Sequence, residues 1–490
     1  MNKKFEEAKE YFNKGKFYLE KLDFKEAEKF FFLSLKILPD RKSSIKSLIY
    51  LYGITENLNS LAELLNKYQH IKDQNTLKFG FAYKEFLSKN YSKCVSICEG
   101  LLINCELEDK VYILTIFADS YFALRKFFQA LKIYKLIFFI KKDFYVYYRI
   151  GLVLLKLGKA KNSYKYLYKS HRLNPKNFFC LWDMSLALLT MGELKKGFEY
   201  YENRWKIPSE HKKKFQEIDE LKNIKNIKKK KIVVWYEQGL GDTIHFFRFV
   251  IKLSKYCEHV FFLVPSKLKK ILSFIGNKIK IISENNIEKN NYFDFQISLW
   301  SLPKILNVKS TKEISFEKLK LIKNQSISTD IIRKKEFNIG LCWSGDSTFA
   351  EDEFRSLPLD FLSDILKLKS INFYKLSKGL KPSEKKIYNN YNILDLGEKD
   401  FYELSHFLYE LDFVISTDTV MIHLCGVLGI KATLLLNYNA DWRWFFDDKT
   451  TVWYPSIEIL RCKKINEWKP VLQKLKAKII EAQKIKLNKS

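Results

Sequence analysis

The feature that most limits what this chain can fold into is a repeat near its N-terminus. Between Ala8 and Pro39, small and large residues follow a frame in which Gly15 is succeeded by Tyr18, Ala27, Phe31, Ser34 and Pro39. The frame returns as Gly151, Leu154, Ser163, Leu167, Ser170 and Pro175. It recurs more loosely at Ala118, Tyr121, Ala130 and Tyr134, at Ala82, Cys94 and Cys98, and at Ser185, Leu188 and Tyr201. The steps from Ala82 to Ala118, Gly151 and Ser185 are 36, 33 and 34 residues, a period that holds one helical hairpin. Small residues let the paired helices approach, while large ones fill the space between neighbouring hairpins. No single hairpin buries its own apolar face, so the units must stack. About six fit into residues 1–209, with 42–74 the most degenerate stretch. The aromatic clusters Phe30, Phe31 and Phe32, Phe127 and Phe128, and Tyr147 and Tyr148 are expected in the stacking core.

This spacing resembles the tetratricopeptide repeat, which implies a protein partner bound in a concave groove. Residues 210–230 then turn charged and lose apolar periodicity, which places a solvated linker there. From residue 231, short apolar runs alternate with longer amphipathic segments, the signature of a parallel sheet wound with helices. KIVVWYE, HVFFLV, IKIIS and FDFQIS read as strands of one half, residues 231–330. FNIGLCW, INFYKLS, NILDL, DFVIS and ATLLLN read as strands of a second, residues 331–490. Ligands of such sheets lie at the carboxyl ends of the strands, so the loops after Trp235, Trp343, Leu376, Ser416 and Leu436 are expected to face one cleft between the halves.

Four of those loops carry polar groups suited to chemistry. In the first, Gln238, Gly239 and Gly241 allow a tight turn, and Asp242 opens a helix with His245 one turn along the same face. Asp242 reads either as a helix cap or as a general base on an acceptor hydroxyl, with His245 orienting the reactants. The second has Ser344, Gly345 and then Arg355, whose planar guanidinium suits a diphosphate. The third, Ser416, Thr417, Asp418 and Thr419 with His423 one turn on, starts a helix whose free N–H groups attract phosphate. The fourth supplies Asp441 and Arg443 as candidates for closing a donor pocket. Lys378 sits on the loop after Leu376.

The stretches GELKKGFEYYENRWKIP, WYEQGLGDTIHFFRF, SLWSLP, GLCWSGD with RSLPL, DFVISTDTVMIHLCGVLG, and NYNADWRW with VWYPS resemble bacterial tetratricopeptide-repeat proteins with a glycosyltransferase family 9-like domain. Heptosyltransferases and O-linked N-acetylglucosamine transferases are more distant relatives. The resemblance implies an α-helical solenoid followed by an α/β GT-B fold, two Rossmann-like domains facing a cleft. It also implies metal-independent transfer from a nucleotide sugar, with inversion, to a glycan, lipid-linked or protein acceptor. By it, Asp242 and His245 are catalytic, while Ser344, Gly345, Arg355, Ser416, Thr417, Asp418, Thr419 and His423 bind the donor. Gln238, Gly239, Gly241, Lys378, Asp441 and Arg443 border the pocket. Neither a metal nor a cofactor beyond the donor is implied. Val420 stands where the family has Gly, and the alternative is a repeat scaffold whose transferase half only binds.

Charge narrows the partners further. The 490 residues carry 86 Lys and Arg against 56 Asp and Glu, a net +30, yet only ten of the 86 are Arg. Planar bidentate recognition of phosphates and bases favours Arg, so nucleic acid is disfavoured as a partner. A further reading uses the Lys to hold the protein peripherally at an anionic inner membrane, provided that they gather on one surface. The eight cysteines lack paired metal-ligand spacing, and no apolar signal core is present near the N-terminus. A cytoplasmic location is the expectation.

Overall fold

The computed structural model describes residues 2–71, 73–103, 107–207, 213–273, 278–284, 292–314, 318–319, 327–333, 335–346, 348–349, 352–445 and 450–488. The chain divides into two compact units, Met1–Cys180 and Leu181–Ser490. The first is a stack of helical hairpins, α1 (Asn2–Glu20) with α2 (Phe24–Ile37), α3 (Lys42–Ile54) with α4 (Leu58–Lys67), and α5 (Gln74–Leu87) with α6 (Tyr91–Leu102). It continues as α7 (Leu107–Ala123) with α8 (Phe127–Ile140) and α9 (Phe144–Lys156) with α10 (Ala160–Leu173). The frame residues do what their sizes demand. A Cβ on Gly151 would stand 2.7 Å from Leu167, so only Gly permits that approach. Ser163 and Ser170 donate across the hairpin to the carbonyls of Gly151 and Phe144, both at 2.7 Å. The aromatic expectation fails in part. Phe31 and Phe127 are buried, but Phe32 and Phe128 turn to solvent.

A sixth hairpin, α11 (Phe178–Thr190) with α12 (Leu194–Tyr201), carries most of its residues in the second unit. The reason is packing: Leu189, Leu194, Phe198 and Tyr201 are buried in the same cluster as the sheets. The compact units thus divide within α11, at Cys180, while the six hairpins run on to Tyr201. The segment expected to be a solvated linker is also docked along its described part. Leu221 and Ile227 are buried, and Glu220 bridges Gln296 as an added parallel pair. Lys213 pairs with Glu220 and Lys214 with Glu284, so two of its cations are engaged locally.

The first sheet is parallel throughout, in the order β3-β2-β1-β4. It comprises β1 (Lys231–Trp235), α13 (Leu240–Leu253), β2 (His259–Leu263), α14 (Ser266–Leu272), β3 (Ile279–Ile282), β4 (Phe295–Ser298) and α15 (Leu302–Ile305). The second runs β5 (Phe337–Cys342), α16 (Asp352–Arg355), α17 (Ser363–Leu366), β6 (Ile371–Lys375), α18 (Lys385–Asn390), β7 (Ile393–Asp395), α19 (Phe401–Glu410), β8 (Phe413–Ser416), α20 (Val420–Leu428) and β9 (Ala432–Leu436). It ends with β10 (Thr450–Thr451), β11 (Tyr454–Arg461) and α21 (Trp468–Leu487). Its order is β10-β11-β9-β8-β5-β6-β7, parallel except for β10. All nine expected strands form. β11 was not anticipated, because Pro455 and the aromatic cluster before it mask an apolar run that pairs with β9.

Strand order reverses between β1 and β4 in one sheet and between β5 and β8 in the other. Such switch points open a crevice at the carboxyl ends of the strands. The loops after β1, β5 and β8 sit at those points, which is where the sequence motifs lie.

Candidate active site

At these loops the two halves touch, because the first turns of α13 and α20 meet. A Cβ on Gly241 would lie 2.9 Å from His423 Cδ2 and 3.6 Å from Val420 Cα. Gly241 is therefore required by contact, and Val420 sits in that same seam.

Asp242 does two jobs at once. One carboxylate oxygen accepts the Gly239 N–H at 3.1 Å, the capping contact, while the other pairs with the guanidinium of Arg443 from the second half. Burial pushes the carboxyl above the usual range, and Arg443 opposes that shift. The side chain keeps 22% of its surface open. Arg443 spans the two halves, its other arm holding Asp441 at 2.7 Å, with its guanidinium over Trp300. Asp418 faces the same cation, and burial together with Asp441 raises its carboxyl to about 6. Two carboxyls thus pair with one fully charged guanidinium, and a third lies within its field. Arg355 adds a second positive charge that both Asp242 and Asp418 feel. Such a cluster offers carboxylate acceptors for ligand hydroxyls and two guanidinium groups for an anion that can compete for them.

His245 is not where the motif placed it. It is wholly buried, its Nδ1 3.1 Å from the Tyr454 hydroxyl, and the same hydroxyl lies 2.9 Å from His423 Nδ1. Trp453 lies against His245, and Trp444 stacks on His423. Desolvation and nearby guanidinium groups hold both imidazoles well below their ordinary range, so both are neutral at pH 7. Burial raises the phenol to about 12, so it keeps its proton. The Tyr454 hydroxyl then donates to one ring and accepts from the other, which fixes opposite tautomers. His245 and His423 therefore pin the halves together through the Tyr454 hydroxyl, and His245 is enclosed by Tyr454 and Trp453.

The hydroxyl motif also turns inward. Ser416 donates to the Thr417 carbonyl at 2.7 Å, Thr417 N–H donates to the Cys342 carbonyl, and Thr419 caps Met421 N–H. These three shape the start of α20, leaving Asp418 as the motif residue that looks into the cluster. Gly345 N–H is likewise committed, to Ser356 Oγ at 3.0 Å, and Ser344 is buried with its N–H near Ser377. Arg355 is anchored by Asp352 at 3.1 Å and lies over Phe349, directly beside Gly345, where a Cβ would meet its Nη2 at 2.9 Å. Lys378 is exposed and acts on Asp346, apart from the carboxyl cluster.

Three further participants escaped the sequence reading. Arg204 forks onto both oxygens of Glu237 and reaches Glu202 and Ser301, tying the end of the last hairpin to the β1 and β4 loops. Beside it Tyr201 accepts from Gln238 and stacks on Trp300. Arg248 donates to the carbonyls of His245 and Trp453 and bonds Tyr454. The available signal was the scarcity of Arg itself. A separate open cavity of about 500 Å³, lined by Trp205, Lys213, Asp219, Glu220 and Gln296 among others, lies on the docked linker segment. None of the motif residues lines it.

No known protein family description matches the chain, and no curated protein does. Solved structures give likenesses at low identity. A chain of the APC/C hetero-tetramer Cut9-Hcn1 is 13% identical over 37% of this chain, with a TM-score of 0.33; only 35% of that chain is spanned. A glycosyl transferase family 9 protein from Veillonella parvula is 13% identical over 54% of this chain and 99% of its own, with a TM-score of 0.38. A thermophilic TPR protein from Thermus thermophilus is 12% identical over 37% of this chain and 99% of its own, with a TM-score of 0.32.

Proposed function

We propose that the second unit moves a sugar from a nucleotide-activated donor to an acceptor hydroxyl, while the helical repeats recruit the acceptor or a protein partner. The observation that carries this reading is the ion pair of Asp242, at the switch point of one parallel sheet, with Arg443 of the other half, whose charge also acts on Asp418 at the second switch point. In this reading the donor diphosphate competes for Arg443 and Arg355, which releases the outer oxygen of Asp242. Asp242, its proton affinity already raised by burial, then takes the acceptor proton. The new bond forms at the anomeric carbon as the bond to the diphosphate breaks, and the departing charge falls on the two guanidinium groups. Asp418 and Asp441 accept hydrogen bonds from the sugar or ribose hydroxyls.

A scaffold that only binds is the second reading. It is favoured by the commitment of the Gly345 amide and the Ser416 and Thr419 hydroxyls to internal bonds, and by Val420 in the seam. A melting-shift screen of the full chain against nucleotide sugars separates the two, followed by product detection with the donor that shifts. Asp242→Asn is expected to keep the shift and lose turnover by at least about a hundredfold. Retained turnover would remove Asp242 as the base. Silence across every donor series would leave the scaffold.

A further inference from the structure

The net positive charge of the chain is not spread evenly over the repeats. Between Leu124 and Asn177 there are 14 Lys or Arg and a single acid, Asp143. Arg149 spends its charge on half-buried Asp119, and Lys141 pairs with Asp143. Six of the remaining twelve face outward on two neighbouring helices. On α8, the positions 128, 132, 135, 136 and 139 fall on one side at helical spacing, which presents Phe128, Lys132, Lys135, Leu136 and Phe139 to solvent. On α10 the corresponding side carries Lys161, Lys165, Tyr168, Lys169 and Arg172, all exposed. Phe138 of α8 and Tyr166 of α10 touch at 6.2 Å between centroids, so the two stripes lie side by side. Neither helix contains an acidic residue, whereas the second helices of the first three hairpins each have one or more, among them Glu26 and Glu28, Glu63, and Glu99.

We propose that this face of α8 and α10 is a docking surface for an anionic lipid bilayer. The carboxyl end of α8 is the part that enters it, since Phe139 is 82% exposed and stands with Leu136 and Ile140 beside Lys141 and Lys142. Aromatic and aliphatic side chains interleaved with long Lys stems suit the interface, where the stems lie along apolar surface while the ammonium groups reach lipid phosphates. Nucleic acid would reward the charge but not the protruding Phe and Leu, and it favours Arg over Lys. A second copy of the same face would bring like charges together. The inference stands on the first unit alone and does not depend on the transferase reading.

The test is co-sedimentation of the full chain with vesicles of about one-third anionic phosphatidylglycerol, with vesicles of phosphatidylcholine alone, and, in competition, with a duplex nucleic acid. Binding is expected only with the anionic vesicles, falling as salt rises from about 0.05 M to about 0.5 M. Lys132→Glu with Lys135→Glu is expected to weaken it at least about tenfold. Leu136→Ser with Phe139→Ser should weaken it several-fold. All four side chains are exposed, so the melting transition of each variant should match the parent and serves as the folding control. No binding, equal binding to neutral vesicles, indifference to the Lys variants, or displacement of vesicles by nucleic acid would each overturn the proposal.

Discussion

Replacing Tyr454 by Phe deletes one oxygen from the seam between the two sheets and leaves its ring in place. That oxygen lies 3.1 Å from one buried imidazole and 2.9 Å from another, and Arg248 bonds it as well. Since one ring accepts its proton and the other donates to it, the substitution strands one lone pair and one N–H away from water. Each buried polar group left unsatisfied costs about 1–3 kcal/mol. Two of them set a range of about 2–6 kcal/mol; Arg248 adds less, because it retains the carbonyls of His245 and Trp453. We expect a loss of about 3 kcal/mol. Urea unfolding followed by Trp fluorescence reads it directly, for Trp453 and Trp444 flank the two histidines, and a midpoint shift at constant slope gives the free energy. A double-mutant cycle with His245→Phe should show coupling of about 1 kcal/mol or more. A loss under about 0.5 kcal/mol, or additive single effects, would refute the claim that this hydroxyl holds both rings.

The same seam makes stability depend on pH. Both histidines have folded-state values below their unfolded ones, so their contribution is lost as pH falls below about 6.5, where the unfolded chain takes up the protons. Asp418, raised to about 6 when folded, acts in the opposite sense, gaining a proton in the folded state between that value and about 4. Asp418→Asn should therefore steepen the fall in the urea midpoint between about pH 6 and pH 4.5, by up to one proton's worth, about 1.4 kcal/mol per pH unit; parallel profiles for parent and variant would count against the assignment. Gly241→Ala places a methyl carbon 2.9 Å from His423, a ring that cannot yield while Trp444 and Tyr454 hold it. We expect a loss of about 1–3 kcal/mol in the same unfolding assay, and a neutral outcome would mean that the seam opens freely.

Much of the framework was legible because its signals are local. Period and residue size announced the hairpins, and short β-branched and aromatic runs announced nine strands. Asp242, Asp418, Asp441 and Arg443 stood out as well, since the loops after buried strands gather at the carboxyl edge of a parallel sheet. What could not be read was which way each side chain turned. Ser416 and Thr419 look like ligand donors until their hydroxyls are seen closing the α20 turn, and His245, one turn beyond Asp242, falls on a side that the second sheet covers. Local patterns carry no information about a partner 209 residues away. The docked linker shows the same limit, because Leu221 and Ile227 reveal their burial only once β4 lies beside them.

The two kinds of cation divide the molecule between geometry and field. Of the six Arg in the second unit, four act as clamps that hold two acceptors at once: Arg204 on Glu237 and Glu202, Arg248 on two carbonyls, Arg443 on Asp242 and Asp441, and Arg461 on the carbonyls of Trp444 and Phe445. Arg355 is itself held, by Asp352. An ammonium group on a flexible stem cannot reproduce a planar fork, so these positions resist the bias that fills the rest of the chain with Lys. Many Lys residues pair singly with a neighbouring carboxylate, as Lys213 and Lys214 do, and on α8 and α10 no acid dilutes them. A chain this poor in Arg thus marks its fixed polar joints in its own composition, and the wealth of Lys gains meaning only where the fold gathers it on one face.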